Sequence, residues 1–253
     1  MDLLAVLSAT WPAAETVRLG PWTLRRGAGG GQRVSAATLD GPLAPLDPAE
    51  AAMQAWGQPP IFMIRPGDHA LDAILAAAGY VVRDPTVFLQ APAAELAGGA
   101  SPVIRCEAPL ATMREIWTAG GVGRARLAVM ARCPSPRIWL LGRMDDRPVA
   151  CAFVGCHGAT AMLHALHVAP AFRRRGLGTT MTRGAAAWAQ SVGATTLTLA
   201  VTAGNHEARA LYGGLGFAEA GGYHYRAAAV AGTALTRATG RVRRPGNAPQ
   251  ESR

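Results

Sequence analysis

The spacing of apolar and polar positions divides the chain into two stretches of mixed structure. The second stretch has the clearer pattern. Val103 to Glu107 reads as a strand and Leu110 to Thr118 as a helix. Arg137 to Leu141 and Val149 to His157 read as strands joined by the turn Met144-Asp145-Asp146-Arg147, and Thr160 to Val168 as a third. Leu177 to Ser191 has helical spacing. Thr195 to Val201 alternates at period two and predicts a strand. Asn205 to Leu215 predicts a helix stopped by Gly216, and Phe217 to Arg226 a last strand.

The first stretch is patterned more faintly. Asp2 to Ser8 suits a short helix. Trp22 to Arg26 and Arg33 to Leu39 are strand-like, separated by the turn Gly27-Ala28-Gly29-Gly30-Gly31. Asp47-Pro48 opens a helix to about Trp56. Ile61 to Arg65 is an apolar strand. Asp68 caps a helix over Ala70 to Ala78 that stops at Gly79, and Thr86 to Gln90 is a strand. The order is β-β-α-β-α-β. Residues 91–102 (APAAELAGGASP) read as a linker, and the Ala-, Arg-, Gly- and Pro-rich segment after Ala229 as disordered. The expected organisation is a unit over 1–98, a second over 99–228, and a basic tail over 229–253, in a mixed α/β (α+β) class.

Composition changes this picture little. The 253 residues are 50% hydrophobic and 16% charged, enough for a core. All 25 basic residues are Arg, and the net charge is +9. Five arginines against Glu251 put +4 of that charge in the tail, so the folded part is only mildly basic. An anionic small ligand accounts for that balance as well as nucleic acid does. Cys106, Cys133, Cys151 and Cys156 lack metal-type spacing and suit free thiols, and no metal site is expected. Neither a signal peptide nor a membrane span is read, so a soluble, cytoplasmic protein without a membrane partner is expected; a nucleic-acid contact by the Arg-rich tail is the weakest reading.

The chemistry concentrates between Val168 and Thr179 (VAPAFRRRGLGT), where a strand gives way to a helix. Gly176 and Gly178 let backbone approach a ligand closely. The unpaired N–H groups of the helix start, with the positive end of its dipole, suit a pyrophosphate. Arg173, Arg174 and Arg175 add charge, and Thr179 a hydroxyl. Alone, this fragment is equally a basic surface turn. It fits neither the GxxxxGK[ST] phosphate loop nor the GxGxxG dinucleotide fingerprint.

Arg173-Arg-Arg-Gly176-Leu-Gly178 resembles the [QR]-x-x-G-x-[GA] signature of the GNAT superfamily of N-acetyltransferases. Leu166-His-Val168-Ala-Pro170 looks like the strand end before that signature. Asn205-His-Glu-Ala-Arg-Ala-Leu-Tyr212-Gly-Gly-Leu-Gly216-Phe217 is similar to the N-x-x-A-x-x-L-Y-x-x-L-G-F segment behind it. The resemblance covers about Val103 to Arg226. It implies a GNAT fold with a splayed central mixed sheet in the C-terminal half and acetyl-CoA lying in the splay. The backbone of Leu166, His167 and Val168 would hold the pantetheine arm. Arg173, Arg174, Arg175, Gly176, Leu177, Gly178 and Thr179 would hold the pyrophosphate. Asn205, Ala208 and Tyr212 would complete the cofactor site. In the first half, Leu75 to Tyr80 (LAAAGY) faintly echoes the segment that ends at Gly216-Phe217, so a smaller GNAT-like unit there, a degenerate tandem copy, is expected; an unrelated cap is the alternative.

By the same resemblance, an acceptor amine attacks the thioester directly in a ternary complex. Tyr212 is then the proton donor to the leaving thiolate, and a backbone N–H near Val168 polarises the carbonyl. The base is open. Ala200 stands where ribosomal-protein alanine acetyltransferases carry a glutamate. His164 matches a relay histidine of arylalkylamine N-acetyltransferases, whose second position is Met162 here. His167 is placed on the opposite strand face by alternation, and His206 and His224 are weaker candidates. The pocket-lining loops over Ala119 to Arg132 and the strand end Tyr223 to Arg226 are not diagnostic of the family; Arg124, Arg126 and Arg132 either face an acidic acceptor or form a solvated basic loop. The expected function is acetyl transfer to a primary amine, of a small molecule or a peptide or protein N-terminus, by a monomer or homodimer. The alternative is a non-catalytic acyl-CoA-binding sensor or assembly partner.

Overall fold

The computed structural model describes residues 2–98 and 102–229; the tail expected to be disordered lies outside the described residues. Helix α1 (Leu3–Thr10) is capped by Asp2, whose carboxylate accepts the N–H groups of Leu4 and Ala5. The chain continues through β1 (Glu15–Leu19), β2 (Trp22–Arg26), β3 (Thr38–Leu39), α2 (Asp47–Ala55), β4 (Ile61–Ile64), α3 (His69–Ala77), β5 (Tyr80–Pro92) and α4 (Ala93–Leu96). It then forms β6 (Ile104–Cys106), α5 (Ala111–Ala119), α6 (Arg124–Arg132), β7 (Arg137–Met144), β8 (Arg147–His157), β9 (Thr160–Val168), α7 (Leu177–Ser191), β10 (Thr196–Thr202), α8 (His206–Gly214) and β11 (Ala218–Ala228).

The main sheet has eight strands in the order β4-β11-β5-β10-β9-β8-β7-β6, and β1, β2 and β3 form a small sheet beside it. The large sheet is mixed, because β10 runs parallel to β9 while its other neighbour, β5, is antiparallel. Its strands β4 and β5 come from before residue 98, so the sheet spans the boundary placed at 98 and 99. One face packs against α7 through Met181, Ala185, Trp188 and Ala189, and the other buries Trp11, Met113, Trp117 and Phe153 under α1, α5 and α6. Among the described residues no helix is long and apolar enough to cross a membrane.

Several expected elements are corrected. Residues 33–39 do not form one strand: Gly31 turns the chain at φ 98°, Gln32–Val34 makes a 3-10 turn, and only Thr38 and Leu39 pair as β3. Strand β1 escaped notice because none of its five side chains is buried, so it carries no alternating signal. The expected linker contains the end of β5 and helix α4, whose Ala93 and Leu96 are buried in the core. The stretch expected as an acceptor-bordering loop contains α6, and Arg132 donates to the Pro12 carbonyl instead of facing a ligand.

The two halves share a pattern at a constant offset of 137 positions. Helix α3 follows Asp68 and ends at Gly79 (φ 84°) before Tyr80; helix α8 follows Asn205 and ends at Gly216 (φ 85°) before Phe217. Each helix joins two strands, β4 to β5 and β10 to β11. Strand β11 lies between β4 and β5, and β5 lies between β10 and β11, so each half supplies the strand inserted into the other. A side-chain cluster ties the exchange. Arg226 donates from Nε and a terminal nitrogen to the two carboxylate oxygens of Asp72 at 2.7 and 3.0 Å, and His224 Nε2 lies 2.9 Å from the same group. The Arg226 hydrogen bonds hold the Asp72 carboxyl down at about 2.

Candidate functional site

The central feature is a fork. β9 and β10 pair in parallel from Thr160–Thr196 only as far as Leu163–Leu199, and then separate. From His164 onward β9 keeps its partner β8 on one edge and, among the described residues, pairs with no strand on the other. An edge without a strand partner is able to accept an extended ligand like an added strand. Into the fork opens a groove of about 570 Å³, bounded by Leu166, His167 and Val168 on one side, the turn from Phe172 to Thr179 at its end, and Asn205, Ala208 and Tyr212 of the α8 region on the other.

The turn is built for an anion. Gly176 precedes α7 at φ 83°, in the left-handed region, and no side chain caps the helix. The first N–H groups of a helix have no intrahelical acceptors, and the residues that carry them in α7, Leu177, Gly178 and Thr179, line the groove. Arg173 is turned back: its Nε donates to the Val168 carbonyl at 3.1 Å and pins the turn to the strand end. Arg174 and Arg175 lie at the surface, where Arg175 meets Asp145 at 3.2 Å. The second glycine also serves packing. A Cβ on Gly178 would lie 2.8 Å from Leu211 Cδ2, so Gly178 lets α7 pack against α8.

Across the groove, Asn205 Oδ1 accepts the Ala208 N–H at 3.0 Å as the cap of α8. Its amide nitrogen remains available as a donor. Tyr212 is 6% exposed and packs edge-on against Phe217 at 5.3 Å, and its hydroxyl makes no hydrogen bond among the described residues. Burial raises the pKa of its phenol, which therefore holds its proton at neutral pH.

A bulge in β9 decides where the histidines go. His164 pairs with Phe153 and His167 with Cys151, so three steps on β9 face two on β8. Ala165 takes up the extra residue at φ 48°, and its carbonyl accepts the indole N–H of the fully buried Trp117 at 2.8 Å. The odd residue puts His167 on the same face as His164, correcting the opposite-face expectation from strict alternation. His167 lines the groove, and its ring fills the space over Gly120: a Cβ there would meet it at 2.3 Å. Burial and then Arg173 lower the His167 pKa.

His164 is a core residue, not a lining one. It is 3% exposed and stacks on Trp11 at 4.9 Å. Thr10 Oγ1 donates to Val6 O and lies 2.9 Å from His164 Nε2, which assigns the proton to Nε2. Nδ1 is left buried without a partner, and burial, then Arg33, lowers the pKa well below 6.5. The base role expected of His164 therefore meets a ring walled off from the groove. His206 is the first residue of α8 and His224 is held by Asp72, both outside the groove lining.

Missed by sequence reasoning were Trp117, which fixes the bulge, Gly120, which seats His167, and Arg33. The Arg33 guanidinium donates from Nε to the Tyr223 hydroxyl at 3.2 Å and from a terminal nitrogen to the Ala200 carbonyl at 3.5 Å. Arg33 sits in the 3-10 turn Gln32–Val34, in a stretch that reads as a strand in the sequence.

A mixed sheet forked between two parallel strands, with a glycine-started helix at the mouth, offers a strand edge and an anion cradle to one extended ligand. The profile of the Acetyltransferase (GNAT) family matches residues 108–217, and this segment is a domain of that family. Solved structures extend the likeness over nearly the whole chain. A GCN5-related N-acetyltransferase from Kribbella flavida is 20% identical, with TM-score 0.67, covering 89% of this chain and 95% of that one. A functionally unknown conserved protein from Staphylococcus epidermidis is 9% identical, with TM-score 0.64, covering 85% and 94%. A tandem GNAT protein from the clavulanic acid biosynthesis pathway is 16% identical, with TM-score 0.58, covering 90% and 87%. No curated protein sequence matches the chain.

Proposed function

We propose that the protein transfers the acetyl group of acetyl-CoA to a primary amine, by direct attack within a ternary complex. The observation that carries this reading is the groove at the β9–β10 fork, which joins a free strand edge to an uncapped helix start. In this reading the edge of Leu166 to Val168 pairs with the pantetheine arm, and the turn from Arg173 to Thr179 cradles the pyrophosphate. The Asn205 amide, with Ala208 beside it, borders the arm. Residues 1–98 act as a degenerate copy that lends β5 to the donor-binding unit over 99–228.

The chemistry uses two side chains. The amine lone pair attacks the thioester carbon while the neutral His167 accepts the amine proton. The C–S bond then breaks, and Tyr212 gives its proton to the CoA sulfur. The lowered His167 pKa keeps that ring unprotonated at neutral pH, and the raised Tyr212 pKa keeps the phenol protonated, so both start in the required state. A non-catalytic acyl-CoA-binding role has one observation in its favour: Ala200 offers no carboxylate at the fork.

A thiol-release assay with acetyl-CoA across amines and peptides separates the two readings. Turnover with at least one amine supports transfer. Acetyl-CoA binding with no release on any acceptor would reduce the protein to a sensor.

A further inference from the structure

On the face of the sheet covered by α1, away from the groove, lies a second cavity of about 170 Å³ between α1, β2, the 3-10 turn and β4. Its polar wall includes Arg25, Arg33, Arg65, Asp40, Thr38 and Ser8. Its acidic groups are already engaged. Asp40 takes Arg65 at 2.6 Å and Arg18 at 3.2 Å, and Asp2, also in the wall, caps α1. Arg65 is neutralised in turn by Asp40 and by Asp68 at 2.8 Å.

Arg25 and Arg33 differ from Arg65. Arg25 donates to the Ala36 carbonyl at 2.9 Å and to Thr38 Oγ1 at 3.2 Å; Arg33 donates to Tyr223 and Ala200. Both side chains are partly buried; Arg33 forms no ion pair among the described residues, and Arg25 meets Asp40 only at a distance, through the Thr38 hydroxyl that donates to that carboxylate. Guanidinium groups withdrawn from water without a counter-ion are costly, unless a bound anion completes them. Two guanidinium forks on one cavity match a planar carboxylate. The volume is below the ~300–1,000 Å³ of pockets for larger ligands, and suits a carboxylate with a few carbons.

Arg33 also connects this cavity to the fork. The carbonyl it holds belongs to Ala200, the residue directly after the last β10 position paired with β9. An anion seated on Arg33 therefore lies one guanidinium group away from the point where the strands part.

We propose that this cavity binds the carboxylate of the acyl acceptor, which makes the acceptor an amino-acid-like molecule bearing both a primary amine and a carboxylate. The proposal rests on the acyl-transfer reading, and it assigns Arg25 and Arg33 as specificity determinants for that reaction.

The test titrates the protein, with CoA present, with free amino acids and their carboxamides, and runs the same compounds as acceptors. At least one free amino acid binds saturably and reacts, its carboxamide does so at least about tenfold less well, and Arg25→Gln and Arg33→Gln erase that preference. Because Arg33 also braces β11, circular dichroism accompanies both variants, and Arg25→Gln supplies an arm that leaves Tyr223 and Ala200 untouched. Equal binding and turnover of acid and amide, no binding of any amino acid, or a preference that survives Arg25→Gln would each overturn the proposal. Acetyl-CoA binding without acceptor is measured separately. Its failure sinks the donor reading, whereas intact donor binding with no amino-acid preference sinks only this inference.

Discussion

The molecule contains two forks of similar design, and they have gone separate ways. At the second, β9 and β10 part after Leu163–Leu199 and leave a groove. At the first, the chain at Ala37 meets β4 in parallel at the single pair with Phe62, and beyond it β3 pairs with β2. There Arg65 reaches across from the end of β4 to the Leu39 carbonyl and Asp40, closing the gap. The helices differ as well. The turn before α7 carries three arginines, and the first turn of α7 holds no acid. The corresponding helix α2 has Asp47 and Glu50 in its first turn, which repel an anion. Leu75 stands where α8 has Tyr212, at the same 137-position offset. On the proposed reading, sharing a fold is not enough to make a donor site; it takes an open strand edge and a helix start without negative charge.

The largest expected effect comes from closing the open fork. Gly176→Glu forces a side chain into a left-handed position and puts a carboxylate at the phosphate cradle. Acetyl-CoA affinity should fall by about 100-fold or more, roughly 3 kcal/mol. The same measurement on Asp47→Asn should show no change, because α2 is not a donor site. An affinity loss from Asp47→Asn would erase the distinction between the forks.

Next comes Tyr212→Phe. It keeps the ring against Phe217 but removes the proton donor, so kcat should drop by about 100-fold while acetyl-CoA affinity holds. A variant with unchanged kcat would leave Tyr212 as packing, like its counterpart Leu75.

The pH profile discriminates between the histidines. His167 must be neutral to accept a proton, and its pKa is lowered, so kcat/KM should hold down to pH 6.5 and fall only below it. His167→Gln should remove that acid limb. His164 acts on stability instead. Its folded pKa lies well below the unfolded value near 6.5, so the unfolded chain binds the extra proton first. Stability is therefore full above about pH 6.5 and lost as pH falls toward the folded pKa. His164→Phe should flatten this dependence in thermal melts; an unaltered slope would mean another group carries it.

The smallest effect belongs to the stapled fork. Arg65→Ala should lower stability by about 1–2 kcal/mol, since its ion pairs are only partly screened from water, and should leave acetyl-CoA affinity unchanged.

Much of this contrast was legible in the residue pattern. Arg173 to Thr179 and Asn205 to Phe217 stood in order around a helix and an alternating strand, and the structure brings both to one groove. LAAAGY at 75–80 held a trace of the repeat. What the pattern could not carry was anything set by contacts distant along the chain. The Ala165 bulge is held by Trp117, 48 residues away, and it reversed the face assigned to His167. Thr10 and Trp11, more than 150 positions from His164, decide that its ring is core. The strand exchange between halves leaves no local signal, because β5 and β11 look the same from the sequence whichever neighbour they pair with.

The account depends most on there being one working donor site per chain. Calorimetric titration of acetyl-CoA tests it directly. The expected result is a stoichiometry of one, abolished by Gly176→Glu and preserved in Arg65→Ala. Two sites per chain, or binding that persists in Gly176→Glu, would contradict it.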